Sequence, residues 1–233
     1  MKSRIFFIVI LTVGFFMANT AMAKDEVRDL PPFTKISLKI SGKVYLEQGN
    51  TQSVKIVAED ETLEEIITEV KDRTLSIRFP NSNMFRNWNP GKIEIYITIP
   101  GIDALTVSGS GDIFSKAVNS RIIDLAVSGS GNIDIDNLSG EQVSAAISGS
   151  GNISVSGPGV AGELKARISG SGNINASEFE AERVDVQTSG SGNCSVMSNG
   201  EIKARISGSG NVNYSGNPAI DSAVSGSGKV KKR

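Results

Sequence analysis

The chain has 233 residues, with 24 Lys and Arg against 25 Asp and Glu, a formal net charge of −1, and no His. This balance gives no electrostatic reason to expect a nucleic-acid partner, and the lack of His removes the commonest general base and metal ligand. The single Cys194 excludes an intramolecular disulfide, so stability must come from packing. We expect neither a cofactor nor a bound metal.

The first 23 residues have the features of a secretory signal peptide. A basic start precedes an apolar run from Ile5 to Met17 and the small-residue ending Ala21-Met22-Ala23, which predicts cleavage after Ala23 and export to the periplasm, the cell surface or the medium. An uncleaved anchor is the weaker alternative, because the apolar run is shorter than the roughly 20 residues that span a bilayer. The exported chain is therefore expected to have no transmembrane segment.

Residues 24–100 are predicted to form an N-terminal β region that supplies the first coils, or a cap, of a solenoid. Its segments are short, alternate apolar with polar residues and are rich in β-branched types. They are Phe33–Ile40, Lys43–Glu47, Ser53–Ala58, Thr74–Phe79 and Lys92–Ile99. The segment Glu61–Val70 fits a helix as well as a strand.

A polar stretch at 80–91 interrupts this region and holds Phe85, Arg86 and Trp88, the only Trp of the chain. Because the ring of Trp88 could stack on a sugar or a partner surface, it and its neighbours Phe85 and Arg86 are candidate ligand-binding residues. The alternative, which the sequence favours, is that they fold back and plug an open end of the solenoid.

Residues 101–228 contain a tetrapeptide repeat. Seven copies of Ser-Gly-Ser-Gly recur every 18 to 21 residues, starting at Ser108, Ser128, Ser148, Ser169, Ser189, Ser207 and Ser225. A fixed period near 20 is the signature of a solenoid, in which each coil buries its apolar face only by stacking on its neighbours.

Apolar residues alternate with polar ones on both sides of the tetrapeptide. Leu125 and Val127 precede one copy, Ile133 and Ile135 follow it, and the intervening Asp124 and Asp134 are polar. This period of two is typical of strands with one buried face. We therefore predict an all-β parallel β-helix, with about 20 residues and two strands per coil, joined by a turn near 137–141.

An acidic or amide residue follows the first six copies of the tetrapeptide. Parallel stacking would place these side chains in one structural ladder, in which amides donate to and accept from their neighbours. The residues are Asp112, Asn132, Asn152, Asn173, Asn193 and Asn211. Calcium-binding turns are the weaker alternative, because such turns need repeated carboxylates and only Asp112 is acidic.

Two further features fall into the same pattern. Cys194 occupies the slot in which the neighbouring repeats have Ile174 and Val212, so it is predicted to be a small buried hydrophobe rather than a nucleophile. The basic tail 229–233 is expected to place charge on the last edge of the solenoid and to cap it, rather than to bind an acidic partner.

The sequence resembles the head GIN-domain family. The resemblance rests on the opening Lys35-Ile36-Ser37 and Tyr45-Leu46-Glu47-Gln48-Gly49, on the segments Leu75-Ser76-Ile77 and Ile95–Pro100, and on the repeated Gly-Asn-Ile that begins at Gly131, Gly151 and Gly172. Members are described as autotransporter adhesins and as a domain of unknown function. The resemblance implies a β-helical fold and an envelope or secreted location, and it carries over no catalytic residues.

Three functions remain open at this point. The leading hypothesis is an exported, non-catalytic binding module for glycans or protein surfaces, since extended solenoid faces commonly bind partners. A structural protein that self-associates, as a homo-oligomer, is the alternative. An enzyme acting on polysaccharides is less favoured, because Asp124, Asp134, Asp136 and Asp185 lie at ordinary outward positions of the repeat.

Overall fold

The computed structural model describes residues 24–80 and 89–233, and it is built almost entirely from strands. The N-terminal part contains β1 (Lys24–Val27), β2 (Lys35–Leu38), β3 (Lys43–Gln48), β4 (Ser53–Ala58), α1 (Asp60–Glu65), β5 (Ile67–Lys71), β6 (Thr74–Arg78) and β7 (Glu94–Ile99). The predicted signal peptide, residues 1–23, lies outside the described residues. No helix in the described part of the chain is long and apolar enough to cross a bilayer.

The repeats follow as a regular stack of parallel strands. They are β8 (Ala104–Gly109), β9 (Asp112–Asn119), β10 (Ile122–Gly129), β11 (Asn132–Gly149), β12 (Asn152–Val155), β13 (Gly159–Gly170), β14 (Asn173–Gly190), β15 (Cys194–Met197), β16 (Glu201–Gly208), β17 (Asn211–Ser215), β18 (Ala219–Gly226) and β19 (Lys229–Lys232). Each residue pairs with the residue one repeat away, so Leu125 lies between Leu105 and Ala145. This confirms the predicted all-β parallel β-solenoid.

Two faces of the solenoid are defined by these pairings. The first face runs through β8, β10, the second half of β11, β13, the second half of β14, β16 and β18. The second face runs through β9, the first half of β11, β12, the first half of β14, β15, β17 and β19. The alternating apolar residues of both faces point inward and are buried, as the period of two predicts.

The predicted turn at 137–141 is a third short side of the coil, which corrects the two-strand prediction. Asn137, Leu138 and Ser139 pair in register with Ala117, Val118 and Asn119 of the preceding coil. Leu138 and Val118 are buried in the core. The sequence places one apolar residue per coil there, too few to show a period, and only the stacking of coils makes it a strand.

The two glycines of each tetrapeptide are required for different structural reasons. Gly149 has φ of +131°, a conformation that only glycine adopts at low cost. Gly151 shows no such φ, but a Cβ atom there would overlap the carbonyl oxygen of Gly131 and lie 2.6 Å from Cγ1 of Val127. The first glycine therefore makes the bend, and the second lets adjacent coils approach.

The N-terminal coils are not stacked in the order of the chain. The coil next to the repeats contains β2 and β3, which pair with β8 and β9. The later strands β6 and β7 pair with β2 and β3 on their other side. The chain thus forms the inner β2–β3 coil first and then the strands at the end of the stack. The later β6–β7 coil lies between the two.

Antiparallel strands close this end of the solenoid. β4 lies antiparallel to β7, β5 lies antiparallel to β6, and β1 adds to the outer edge of β4. The ambiguous segment Glu61–Val70 supplies both candidate structures, all of α1 except its first residue and all of β5 except its last. Thr62 and Leu63 of α1 are buried, and the hydroxyl of Thr62 donates to the carbonyl oxygen of Pro90 at 2.9 Å.

Candidate functional site

One row of outward-facing positions on the second face has aromatic side chains in three coils and small polar side chains in most of the others. Parallel pairing places Tyr45 between Tyr96 on one side and Phe114 on the other. The same row continues through the repeats with small polar side chains, which are Asp134, Ser154, Asn175, Ser195 and Asn213. Aromatic residues at outward positions therefore distinguish three successive coils from the rest of this face.

The three rings stack on one another along the solenoid axis. The ring centroids of Tyr45 and Tyr96 are 5.2 Å apart with planes 20° from parallel, and those of Tyr45 and Phe114 are 5.8 Å apart at 23°. The ammonium of Lys55 lies 5.0 Å from the Tyr96 ring centre, a cation–π distance. Since neighbouring rings cover each other's faces, their edges form a continuous wall of ring carbons that ends in the two Tyr hydroxyls, of which that of Tyr45 donates to Oε1 of Glu94 at 3.5 Å. We call the ring-carbon part the apolar wall.

This wall borders a groove of about 640 Å³, within the size range of small-molecule sites. The groove is lined by Tyr45, Leu46, Glu47, Gln48, Tyr96, Ile97, Thr98, Phe114, Ser115, Lys116, Ala117, Asp134 and Asp136. We call it the aromatic groove.

Gln48 fixes one end of the aromatic groove. Its amide nitrogen donates to the carbonyl oxygen of Asn119 at 2.9 Å, and its amide oxygen accepts from the Asn119 backbone N–H at 2.6 Å. This two-point contact ties the end of β3 to the end of β9. The groove therefore has rigid strands on both sides, which favours a preformed site.

Acidic side chains outnumber basic ones in the lining of the groove. Three carboxylates, Glu47, Asp134 and Asp136, and one cation, Lys116, line it, while the ammonium groups of Lys55 and Lys43 lie over the rings of Tyr96 and Phe114 at its border. Partial burial raises the pKa of the Asp134 carboxyl, and the neighbouring carboxylates Asp112 and Asp136 raise it further. Carboxylates of this kind are strong hydrogen-bond acceptors for hydroxyl groups.

The side chains of the predicted ladder lie beside the aromatic row and bond to one another. The amide nitrogen of Asn132 donates to Oδ1 of Asp112 at 2.7 Å, and that of Asn152 donates to Oδ1 of Asn132 at 2.9 Å. Asn173, Asn193 and Asn211 continue the series at 3.0 to 3.1 Å. Every amide donates toward the N-terminal end, where Asp112, which only accepts, ends the series.

The other candidate residues are dispersed. Trp88, Phe85 and Arg86 lie outside the described residues, in the connection between β6 and β7. Asp124 and Asp185 lie on the first face, away from Asp134 and Asp136, so the four aspartates do not form one site. In the described ranges no group of three or more His, Cys, Asp and Glu side chains could hold a metal ion.

Sequence reasoning missed the aromatic groove. The available signal was that Tyr45, Tyr96 and Phe114 each stand at an outward position, flanked by residues that are buried or face the core. The missing information was proximity. Tyr45 and Tyr96 are 51 positions apart in the sequence, and they become neighbours only because the β6–β7 coil is inserted beside the β2–β3 coil.

Comparison with known proteins gives one family. The sequence profile described as "Putative auto-transporter adhesin, head GIN domain" matches residues 32–218. No curated protein matches the sequence.

Several solved structures are similar over nearly the whole chain. A putative adhesin from Bacteroides fragilis is 25% identical with a TM-score of 0.83, covering 91% of this chain and 97% of that one. Two proteins from Parabacteroides distasonis are each 21% identical and cover 92% of this chain and 98% of theirs. They are a putative lipid binding protein with a TM-score of 0.73 and a putative adhesin with a TM-score of 0.69. At that identity the latter two show a shared fold only.

Proposed function

Because this chain belongs to the head GIN-domain family, whose description is that of an adhesin, we propose that it is an exported, non-catalytic binding module that holds a glycan in the aromatic groove. The family and the Bacteroides fragilis structure are described as adhesins, and neither is described as an enzyme.

The observation that carries the proposal is the departure of three coils from the pattern of the solenoid. A purely structural row would be served by the Ser and Asn side chains that fill it at 154, 175, 195 and 213. Tyr96, one of the three aromatic residues, is instead 39% exposed to solvent. Exposed aromatic residues over a concave, preformed site are typical of binding surfaces.

The groove chemistry favours a neutral sugar. The apolar wall of ring edges suits the C–H surface of a pyranose, whose burial is favourable. Glu47, Asp134 and Asp136 accept hydrogen bonds from hydroxyl groups, and Lys116 donates them. The excess of carboxylates over cations among the lining residues favours neutral chains over sulfated and uronic-acid chains. The groove volume of about 640 Å³ accommodates a short oligosaccharide segment rather than a whole chain.

A glycan array probed with the exported chain, residues 24–233, tests the proposal, followed by calorimetric titration of the best neutral oligosaccharide. We expect Tyr45→Ala to weaken binding at least about tenfold, because it removes the central ring of the wall. Asp136→Asn is expected to weaken it by a similar factor.

Asn175→Ala is the matched control, since Asn175 occupies the same outward row beyond the groove. It should bind like the wild type. Binding that survives Tyr45→Ala would place the site elsewhere and contradict the proposal, as would a preference for anionic over neutral glycans. Saturable binding to a protein surface instead of any glycan would refute the ligand class.

Release of shorter sugars from a bound polymer would contradict the non-catalytic part of the proposal. The groove makes that outcome testable, since Asp134, whose pKa is raised, and Asp136 line the same groove, and paired carboxylates are what glycoside hydrolysis requires. We expect no increase in reducing ends when wild-type protein is incubated with the glycan that it binds.

A further inference from the structure

The solenoid has an open strand edge at each end of its second face. At one end β1 pairs only with β4, and at the other β19 pairs only with β17, within the described residues. All four residues of β1 and three of the four residues of β19 are exposed. Unpaired edges of this kind offer rows of N–H and C=O groups to another strand.

The two edges run in the same direction. β1 is antiparallel to β4, and β4 is antiparallel to β7. β1 therefore runs parallel to β7 and, through the parallel ladders of the second face, parallel to β19. A second solenoid placed end to end with the first would continue the parallel sheet from β19 to β1.

The two ends carry opposite charge. The residues at 24–29 and 59–65, which form the β1 end, contain eight acidic and two basic side chains, a side-chain charge of −6. The side chains of the last five residues, 229–233, include four cations and no carboxylate. The one carboxylate of β18, Asp221, is held by the guanidinium of Arg205 at 2.7 Å. Opposite ends therefore attract, and like ends repel.

Inward-facing charges sharpen this selectivity. Glu26 lies opposite buried Ile56, and Lys232 lies opposite Tyr214, so both occupy inward positions at their edges. A charge at such a position blocks pairing with an identical edge. Glu26 and Lys232 have opposite signs, so the two edges are incompatible with themselves but compatible with each other.

The basic end also leaves apolar surface uncovered. Ile220 and Val224 of β18 lie in register with buried Ile202 and Ile206, yet they are 41% and 44% exposed. At these positions every preceding coil has its inward side chains covered by the next coil. A further coil supplied by another molecule would bury both.

From these features we infer that the chain associates head to tail with further copies of itself, the β18–β19 end of one molecule docking on the β1–α1 end of the next. The contact joins two different surfaces, so it extends into open linear assemblies rather than closing as a dimer. The second face has eleven strands at about 4.8 Å spacing, so each copy adds roughly 50 Å. The aromatic groove lies on the side and stays accessible.

Sedimentation velocity of residues 24–233 between about 5 and 300 µM tests the inference. In 20 mM salt the sedimentation coefficient should rise with concentration beyond that of a dimer, and 500 mM salt should largely abolish the rise. The readout does not involve glycan binding, so its failure and that of the proposed function are distinguishable.

Two variants and a control identify the surfaces. Lys231→Glu with Lys232→Glu alters the tail, and Asp25→Lys with Glu26→Lys alters the head; each pair should weaken self-association at least about tenfold. An equimolar mixture of the two should associate more strongly than either alone, because the two altered ends are complementary to each other and the two unaltered ends pair as in the wild type. Lys165→Glu with Arg167→Glu, the same charge change on the first face in β13 and away from both ends, should leave association within about twofold of wild type.

Three results would overturn the inference. One is a single monomeric species at 300 µM in low salt. Another is growth that stops at a dimer and is unaffected by the head variant, which would indicate tail-to-tail pairing. The third is a mixture of head and tail variants that associates no better than its components, since complementary charges would then not determine the contact. Circular dichroism of each variant confirms that it is folded.

Discussion

Replacing Asn152, in the middle of the amide ladder, tests whether the ladder stabilises the solenoid. Its amide nitrogen donates to Oδ1 of Asn132 at 2.9 Å. Its Oδ1 accepts from the side chain of Asn173 at 3.0 Å and from the backbone N–H of Asn173 at 3.2 Å. Asn152→Ala therefore removes three hydrogen bonds and leaves the neighbouring coils in place.

The expected cost follows from these contacts. A neutral hydrogen bond contributes about 0.5 to 1.5 kcal/mol net, and the ladder is only partly buried, so the freed groups regain water. We therefore take the lower value for each bond and expect a loss of about 1.5 kcal/mol. For a chain of this size that corresponds to a fall in Tm of roughly 3 to 6 °C.

Asn152→Asp separates hydrogen bonding from packing through its pH dependence. Ionised, the introduced carboxyl cannot donate to Asn132 and faces its oxygen; protonated, it can donate again. The two donors of Asn173 bond the other carboxyl oxygen in both protonation states, so the contact with Asn132 decides the direction. It raises the pKa in the folded state above that in the unfolded state, and the destabilisation is therefore present above that pKa and disappears as the pH falls through it. Thermal melts followed by circular dichroism between pH 7 and pH 3.5, each compared with wild type, measure this.

Asn175→Ala is the control, because Asn175 is exposed on the same face and lies outside the ladder. If Asn152→Ala lowers Tm no more than Asn175→Ala does, the ladder contributes nothing measurable. If the difference between Asn152→Asp and wild type is the same at pH 3.5 as at pH 7, the cost is steric and the hydrogen-bond argument is wrong.

Three further outcomes follow from the same structure. Asp134→Asn should raise Tm at pH 7, because the raised pKa of Asp134 means that its ionised form disfavours the folded state. The gain in Tm should vanish as the pH falls below that pKa, and a gain that is the same at every pH would contradict this. Cys194 is fully buried, and burial raises its thiol pKa to about 12. A thiol reagent should therefore label it only after unfolding, and rapid labelling of the native protein would show that the core opens there. Gly151→Ala should cost at least about 3 kcal/mol because its Cβ overlaps the coil below, whereas Gly101→Ala, with open space around its Cβ, should be nearly neutral; equal melting temperatures would refute the close-approach argument.

The repeat part of the fold could be predicted because its interactions are the same in every coil. The alternation of apolar and polar residues around Leu125, Val127, Ile133 and Ile135 determines which side chains face the core. The period near 20 determines which residues stack on one another, because parallel strands pair in register from coil to coil. The bonded series from Asp112 to Asn211 follows from the same period. Cys194 is buried between Ile174 and Val212, where the pattern placed it.

The N-terminal region shows where sequence reasoning stops. Its strands were recognisable from alternation, and β4 matches the predicted Ser53–Ala58. Their order in the stack could not be recognised from the sequence, because long-range packing and not a repeat determines which strands are neighbours there. The third side of the coil was missed for a related reason: a single buried residue such as Leu138 carries no periodic signal.

The sequence by itself determined that this protein is a parallel β-solenoid, because a short period, two glycines per corner and strict alternation leave only stacked coils as a way to bury the apolar residues. The tertiary structure alone decided which surfaces differ from the repeat. Insertion of the β6–β7 coil brings Tyr96 against Tyr45, and Phe114 completes the aromatic wall. The same arrangement sets acidic β1 and basic β19 at opposite ends of one sheet. Both features depend on contacts between residues far apart in the chain, which local pattern does not encode.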